Sequence, residues 1–167
     1  MKRALLAEDD ESMSRITIAF LELFDYKVNY CMNGQTALEH CLGEKYDLIM
    51  SDNQMPIKTG LEFLRDIRNT DNLNQNTPFL LYSGNLMNDK NYLELEKRKA
   101  AFLLKPFEIK FMQVGIEAAI SLIKDDFSEK ICEGKFTQGS EDKLCMLPYE
   151  CEHFRTKNGM KICNYSQ

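Results

Sequence analysis

The residues with the most chemistry in this chain stand at the ends of short apolar runs. Glu8-Asp9-Asp10 follows Ala4-Leu5-Leu6-Ala7, Asp52 follows Asp47-Leu48-Ile49-Met50-Ser51, and Lys105 closes Ala101-Phe102-Leu103-Leu104 ahead of Pro106. Ser83 ends a further apolar stretch, one residue before Gly84. In a parallel α/β sheet the strand C-termini share one edge, and ligands bind there. Carboxylates and a lysine gathered on that edge suit a divalent cation together with a phosphoryl group. Mg²⁺ takes oxygen ligands in octahedral geometry and keeps several waters. Asp9 or Asp10, with Asp52, can supply the carboxylates, and the cation offsets their mutual repulsion. Lys105 is a point cation suited to a phosphate oxygen. The Ser83 hydroxyl can donate to another, and Gly84 adds no side chain that would close the site to a phosphodonor.

Such convergence needs alternating strands and helices, and residues 1–125 read that way. Apolar runs predict strands at Ala4–Ala7, Lys27–Cys31, Tyr46–Ser51, Phe79–Tyr82 and Phe102–Leu104. Helical recurrence predicts helices at Glu11–Phe24, Gln35–Leu42, Leu61–Arg68, Asp89–Lys99 and Phe107–Lys124, with Ser12 or Glu11 starting the first and Gly43 stopping the second. Asn33-Gly34 reads as a turn, and Asn69–Thr77 as a loop ended by Pro78. Five strands alternating with five helices imply an α/β fold, an open, mostly parallel sheet covered on both faces. Cys31 and Cys41, in a strand and a helix, read as small buried hydrophobes.

Bulk properties narrow the function classes. A length of 167 residues with 44% hydrophobic content makes one ordinary domain plus a small appendage. The net charge of −5 and the lack of a basic stretch disfavour direct nucleic-acid binding. No apolar run approaches the ~20 residues that span a bilayer. Four apolar residues after Met-Lys-Arg are too few for a signal-peptide core. These features lead us to expect a cytoplasmic protein with mostly reduced cysteines.

From residue 126 to 167 the character changes. Cys132, Cys145, Cys151 and Cys163 fall here, with His153 beside Cys151, and no long periodic apolar stretch appears. A segment this short buries little surface alone. A structural Zn²⁺ held by the four cysteines, with His153 as a substitute ligand, would supply folding energy, although the spacing lacks the close pair of ordinary zinc knuckles. Reduced cysteines packed on the first 125 residues, or disulfides, are the alternatives. The last helix carries two apolar stripes, Phe107, Phe111, Val114, Ala118 and Leu122, and Ile109, Met112, Ile116, Ala119, Ile120 and Ile123. If one stripe packs on the sheet, the other is covered by the C-terminal segment, by a partner, or by a second copy in a homodimer through this helix. A single broad core face is the simpler alternative.

In order and at fitting spacing, Glu8-Asp9-Asp10, Asp52, Met55-Pro56, Gly60, Ser83-Gly84 and Phe102-Leu103-Leu104-Lys105-Pro106-Phe107 resemble the receiver domain of two-component response regulators, chemotaxis-Y-like, over about residues 1–125. The resemblance implies a five-stranded, doubly wound, flavodoxin-like sheet and a non-enzymatic signalling role. It implies that Asp52 accepts a phosphoryl group from a sensor histidine kinase or phosphotransfer protein, and that an output protein, not identifiable from sequence, reads the result. Asp9 and Asp10 correspond to the acid pair that binds Mg²⁺ with Asp52, the backbone carbonyl of Gln54 adding a ligand. Ser83 corresponds to the hydroxyl that follows the phosphoryl group, Lys105 to the phosphate-contacting lysine, and Phe102 to the aromatic switch. Phe102 carries no hydroxyl, so it must signal by packing. Gln54 and Asn85 fall where the family tunes phosphoryl lifetime. Two other readings remain. A Mg²⁺-dependent phosphatase of the haloacid-dehalogenase type also uses an aspartate nucleophile, but its second acid would fall at position 54, which is Gln. A metal- or redox-sensing adaptor would act through the cysteine-rich segment.

Overall fold

β1 (Lys2–Ala7), β3 (Leu48–Asp52) and β4 (Phe79–Ser83) are runs with no charge before their last residues, apart from the first two residues of β1, and they form the middle of the sheet. In the computed structural model, which describes residues 1–124 and the backbone of residues 154–157 and 160–163, every residue of β3 and β4 is buried. β2 (Tyr26–Cys31) and β5 (Ala100–Leu104) complete a sheet of order β2-β1-β3-β4-β5, and all four pairings are parallel. This is the flavodoxin-like order. The chain moves outward from β1 to β2, then crosses to β3 on the other side, so the switch of direction lies between β1 and β3.

Alternation along each strand divides the core. Leu5, Ala7, Ile49, Phe79 and Leu81 face α2 (Gly34–Gly43), α3 (Gly60–Asn69) and α4 (Asp89–Lys97), meeting Cys41, Phe63, Leu64 and Leu95. Ala4, Leu6, Met50, Leu80 and Tyr82 face α1 (Glu11–Leu23) and α5 (Ile109–Lys124), meeting Leu21, Met112, Ile116 and Ala119. On α5, Met112, Ile116 and Ala119 of one predicted stripe and Ala118 of the other are all buried, and Leu122 packs on the same cluster. The two stripes therefore contribute to one broad core-facing surface. The Cys31 and Cys41 thiols are free and buried, and burial pushes them up to about 11 and about 12, so neither is a nucleophile near neutral pH.

The helix starts are chemically marked. The side chains of Asp10, Asn33 and Asn88 accept the Met13, Thr36 and Asn91 N–H groups, and Thr59 with Glu62 forms a reciprocal capping box. Asn33 is thus a helix cap and Gly34 the first helical residue, where the sequence suggested a turn. Remote from the carboxylates, the 69–77 loop is stapled by fully buried Asn74, which accepts the Tyr46 N–H (2.8 Å) and donates to the Cys41 (2.7 Å) and Glu44 (2.6 Å) carbonyls.

β6 (Phe154–Lys157) and β7 (Met160–Cys163) pair antiparallel, with Phe154 opposite Cys163. The sequence between them is Asn-Gly, the dipeptide best suited to a two-residue hairpin connection. Cys132, Cys145, Cys151 and His153, and the side chain of Cys163, lie outside the described residues, as does any packing of this segment against α5.

Candidate functional site

Two strand ends and the residues that follow two further strands build the site. Asp52 is the last residue of β3, Ser83 the last of β4, Lys105 follows β5, and Glu8-Asp9 follows β1. Parallel register sets Asp52 beside Tyr82 and Ser83 beside Leu104. Backbone bonds from Asn53 N–H to the Tyr82 carbonyl (2.8 Å) and from Lys105 N–H to the Ser83 carbonyl (2.8 Å) carry the ladder into the loops, so the functional residues inherit the rigidity of the sheet. Gly60 lets α3 approach: a Cβ there would lie 2.2 Å from the Asp52 carbonyl oxygen and 2.6 Å from Leu81 Cδ1.

Lys105 Nζ lies 2.9 Å from Glu8 Oε2 and 3.3 Å from Asp52 Oδ1. Carboxylate oxygens of Glu8, Asp9 and Asp52 lie within 4.8 Å of one another, Glu8 and Asp52 buried and Asp9 exposed. Burial raises the Asp52 carboxyl above its ordinary range. Lys105 opposes that shift, Glu8 adds to it, and the Gln54 backbone hydrogen bond lowers it. Three hard oxygen donors gathered within 4.8 Å of one another fit a divalent cation of the Mg²⁺ type.

The acid pair differs from the sequence reading. Asp9 and Asp10 were expected beside Asp52, whereas the residues gathered there are Glu8 and Asp9. Asp10 is the N-cap of α1, its Oδ1 accepting the Met13 N–H at 2.9 Å, and a side chain bound to the helix start is drawn away from the cluster. Glu8 continues the alternation of Ala4 and Leu6 and so points into the α1–α5 side, where it is fully buried. That parity was the available signal for Glu8, and its buried pairing with Lys105 was not foreseen. Nor was Tyr82, whose ring lies under Lys105 Nζ, 4.8 Å from the centroid, and meets Phe107 edge-on.

The remaining predicted residues line the rim. Ser83 is buried, and its Oγ accepts the Asn85 N–H (3.2 Å). The Asn85 amide donates to Gln54 Oε1 (3.3 Å), so the two flanking amides meet across the mouth. No side chain would be obstructed at Gly84, where a Cβ meets nothing within 4 Å. Phe102 is half-buried on the α4 side of the sheet, edge-on to Tyr92 with centroids 5.7 Å apart.

The model of the response regulator receiver domain family matches residues 4–117. The chain belongs to that family. It is 30% identical over 120 residues to the response regulator ArlR of Staphylococcus saprophyticus, covering 72% of this chain and 53% of that protein, so it spans about half the length of that relative. The receiver fold superposes on the Vibrio cholerae chemotaxis protein CheY4 with a TM-score of 0.64 at 25% identity, covering 71% of this chain and 98% of that one. It has the same fold as the receiver domain of a sensor histidine kinase from Pseudomonas aeruginosa PAO1, a structure with a magnesium ion in its active-site cleft (TM-score 0.63, 24% identity, 72% and 98% covered). This receiver serves phosphorylation-controlled signalling, and the phosphatase and redox-adaptor readings are not favoured. Among the described residues no helix is long and apolar enough to cross a membrane.

Proposed function

We propose that Asp52 is the phosphoacceptor, that Glu8, Asp9, Asp52 and the Gln54 backbone carbonyl hold Mg²⁺, and that the donor is a phosphohistidine of a sensor kinase or phosphotransfer protein. The observation that carries this reading is one buried carboxylate, Asp52, at a strand end, 3.3 Å from Lys105 and grouped with two further acids. An Asp52 carboxylate oxygen attacks phosphorus, the histidine P–N bond breaks, and its electron pair returns to the imidazole. Bound Mg²⁺ supplies positive charge against the gathering phosphoryl and carboxylate oxygens. Lys105 shifts from Glu8 toward a phosphoryl oxygen, and the Ser83 hydroxyl donates to another. Phe102 repacks against Tyr92, biasing a two-state element by a local charge event. Residues 1–125 form the receiver, and 126–167 form an extension to it. The output is binding of a partner protein in the cytoplasm, without a catalysed turnover.

The test is intact-mass measurement after incubation with a small phosphodonor and Mg²⁺. One added phosphoryl group, lost in Asp52→Asn, is expected. Labelling that persists at the same level in Asp52→Asn refutes the assignment. Hydrogen exchange over residues 84–107 tests the switch: identical exchange with and without phosphorylation removes it.

A further inference from the structure

Two buried hydroxyls stand behind the acid cluster. Tyr82 and Thr17 are fully buried, and among the described residues neither the Tyr82 hydroxyl nor Thr17 Oγ1 has a hydrogen-bond partner. Tyr82 lies close enough to the Glu8 carboxylate and to Thr17 to interact with both, but in hydrogen-bond geometry with neither. A buried hydroxyl without a partner costs stability, and two side by side call for a physical reason.

Glu8 supplies one. Its Oε1 accepts the Asp10 N–H (3.2 Å), and its Oε2 accepts Lys105 Nζ (2.9 Å). Under the function proposed above, Lys105 is drawn to the phosphoryl group on Asp52. Glu8, fully buried, would then have lost the hydrogen-bond donor to Oε2 and would face the divalent cation with only the Asp10 N–H to orient it, and a buried carboxylate oxygen short of a donor costs stability. Tyr82 is the unused donor beside it. Phenol donation to a carboxylate is charge-assisted, and hydroxyl-to-carboxylate bonds are among the strong ones. Thr17, on α1, can donate in turn to the phenol oxygen and aim its hydrogen at Glu8.

We propose that Tyr82, oriented by Thr17, is a positioning residue that takes over Glu8 when Lys105 leaves it, holding the carboxylate in place toward the divalent cation. The inference rests on the Mg²⁺ reading above and adds Tyr82 and Thr17 to it. Neither residue need touch the cation or the phosphoryl group. Partners that orient metal-ligating carboxylates typically change metal affinity 10- to 100-fold when removed.

The test uses the full chain with Tyr82→Phe and, separately, Thr17→Val. Phe keeps the ring beneath Lys105 and against Phe107, and Val keeps the shape of Thr, so both variants change only a hydroxyl. Mg²⁺ affinity is measured by calorimetric titration with MgCl₂ in the presence of beryllofluoride, which stands in for the phosphoryl group on Asp52 and draws Lys105 from Glu8, and the melting temperature is measured without metal. Tyr82→Phe should bind Mg²⁺ roughly tenfold more weakly, with Thr17→Val weaker in the same direction. The metal-free melting temperature should stay the same or rise, since the hydroxyls have no bond to lose. Unchanged Mg²⁺ affinity in Tyr82→Phe overturns the proposal. So does a lowered metal-free melting temperature, which would make the hydroxyl a structural partner. A wild-type chain that does not bind Mg²⁺ overturns the underlying metal reading instead, which separates the two failures.

Discussion

Replacing Gly60 with Ala should damage the fold and the site together. The added Cβ would lie 2.2 Å from the Asp52 carbonyl oxygen, 2.6 Å from Leu81 Cδ1 and 2.9 Å from Ser51 Oγ, where ordinary contact begins at 3.4 Å. The first of these atoms is backbone at the end of a fully buried strand, and it accepts the Ser51 hydroxyl (2.8 Å), so it cannot rotate away. Relief requires α3 to retreat by about an ångström, in a core packed to crystal density. Overpacking of this kind costs about 1–3 kcal/mol, and the immovable carbonyl argues for the upper end. Ala recovers about 0.5–1 kcal/mol through helix propensity and a less flexible unfolded chain. The net loss is about 2 kcal/mol, or roughly 8 °C in melting temperature for a domain of this size. Gly84→Ala is the matched control, since nothing lies within 4 Å of a Cβ there. Thermal unfolding by circular dichroism measures both. Because the clashing oxygen belongs to Asp52 itself, the initial rate of phosphoryl labelling should fall in Gly60→Ala as well. A Gly60→Ala protein that melts with the Gly84→Ala control and is labelled at the wild-type rate would refute the account of the close approach.

Three further outcomes follow from the packing. Ile57 holds φ 69° while 81% exposed, so a β-branched side chain pays the left-handed penalty with little burial in return; Ile57→Gly should gain about 0.5–1 kcal/mol after the glycine's own chain entropy is counted, read by urea denaturation. Asn74→Ala leaves the buried Tyr46 N–H without its acceptor and the Cys41 and Glu44 carbonyls without a donor; unfolding should be easier by about 3 kcal/mol, and a loss under about 1 kcal/mol would mean that water replaces the amide. Hydrogen bonds from Arg65, joined by Arg98, hold the Glu94 carboxyl down to about 2, tying α3 to α4. A depressed carboxyl stabilises the fold above its unfolded value near 4.5, and that contribution is lost as pH falls through about 2. Solvent at this pair limits it to about 1 kcal/mol, so Glu94→Gln should be less stable than wild type at neutral pH and converge with it by about pH 2.

Much of this receiver could be read from local pattern. A strand buried on both faces must be apolar throughout, so Leu48–Met50 and Phe79–Tyr82 mark β3 and β4 without further context. A charged or polar residue ending such a run has to emerge at the sheet edge, which is why Asp52 and Lys105 stood out as site residues. The choice among Glu8, Asp9 and Asp10 was harder. All three follow the same run, and two local rules compete over them: the period of two along β1 sends Glu8 inward, and the open N–H groups at the start of α1 claim Asp10. Which acids join Asp52 depended on where α1 begins. Contacts between distant segments left still less trace. Asn74 is one polar residue in a polar loop until Tyr46 and Glu44 come against it, and Tyr82 is one more apolar strand residue until Glu8 and Thr17 come near its hydroxyl and Lys105 lies over its ring. Sequence patterns record what each residue does to its own stretch of backbone. The partner of a buried polar group lies elsewhere in the chain, so only the assembled fold determines it.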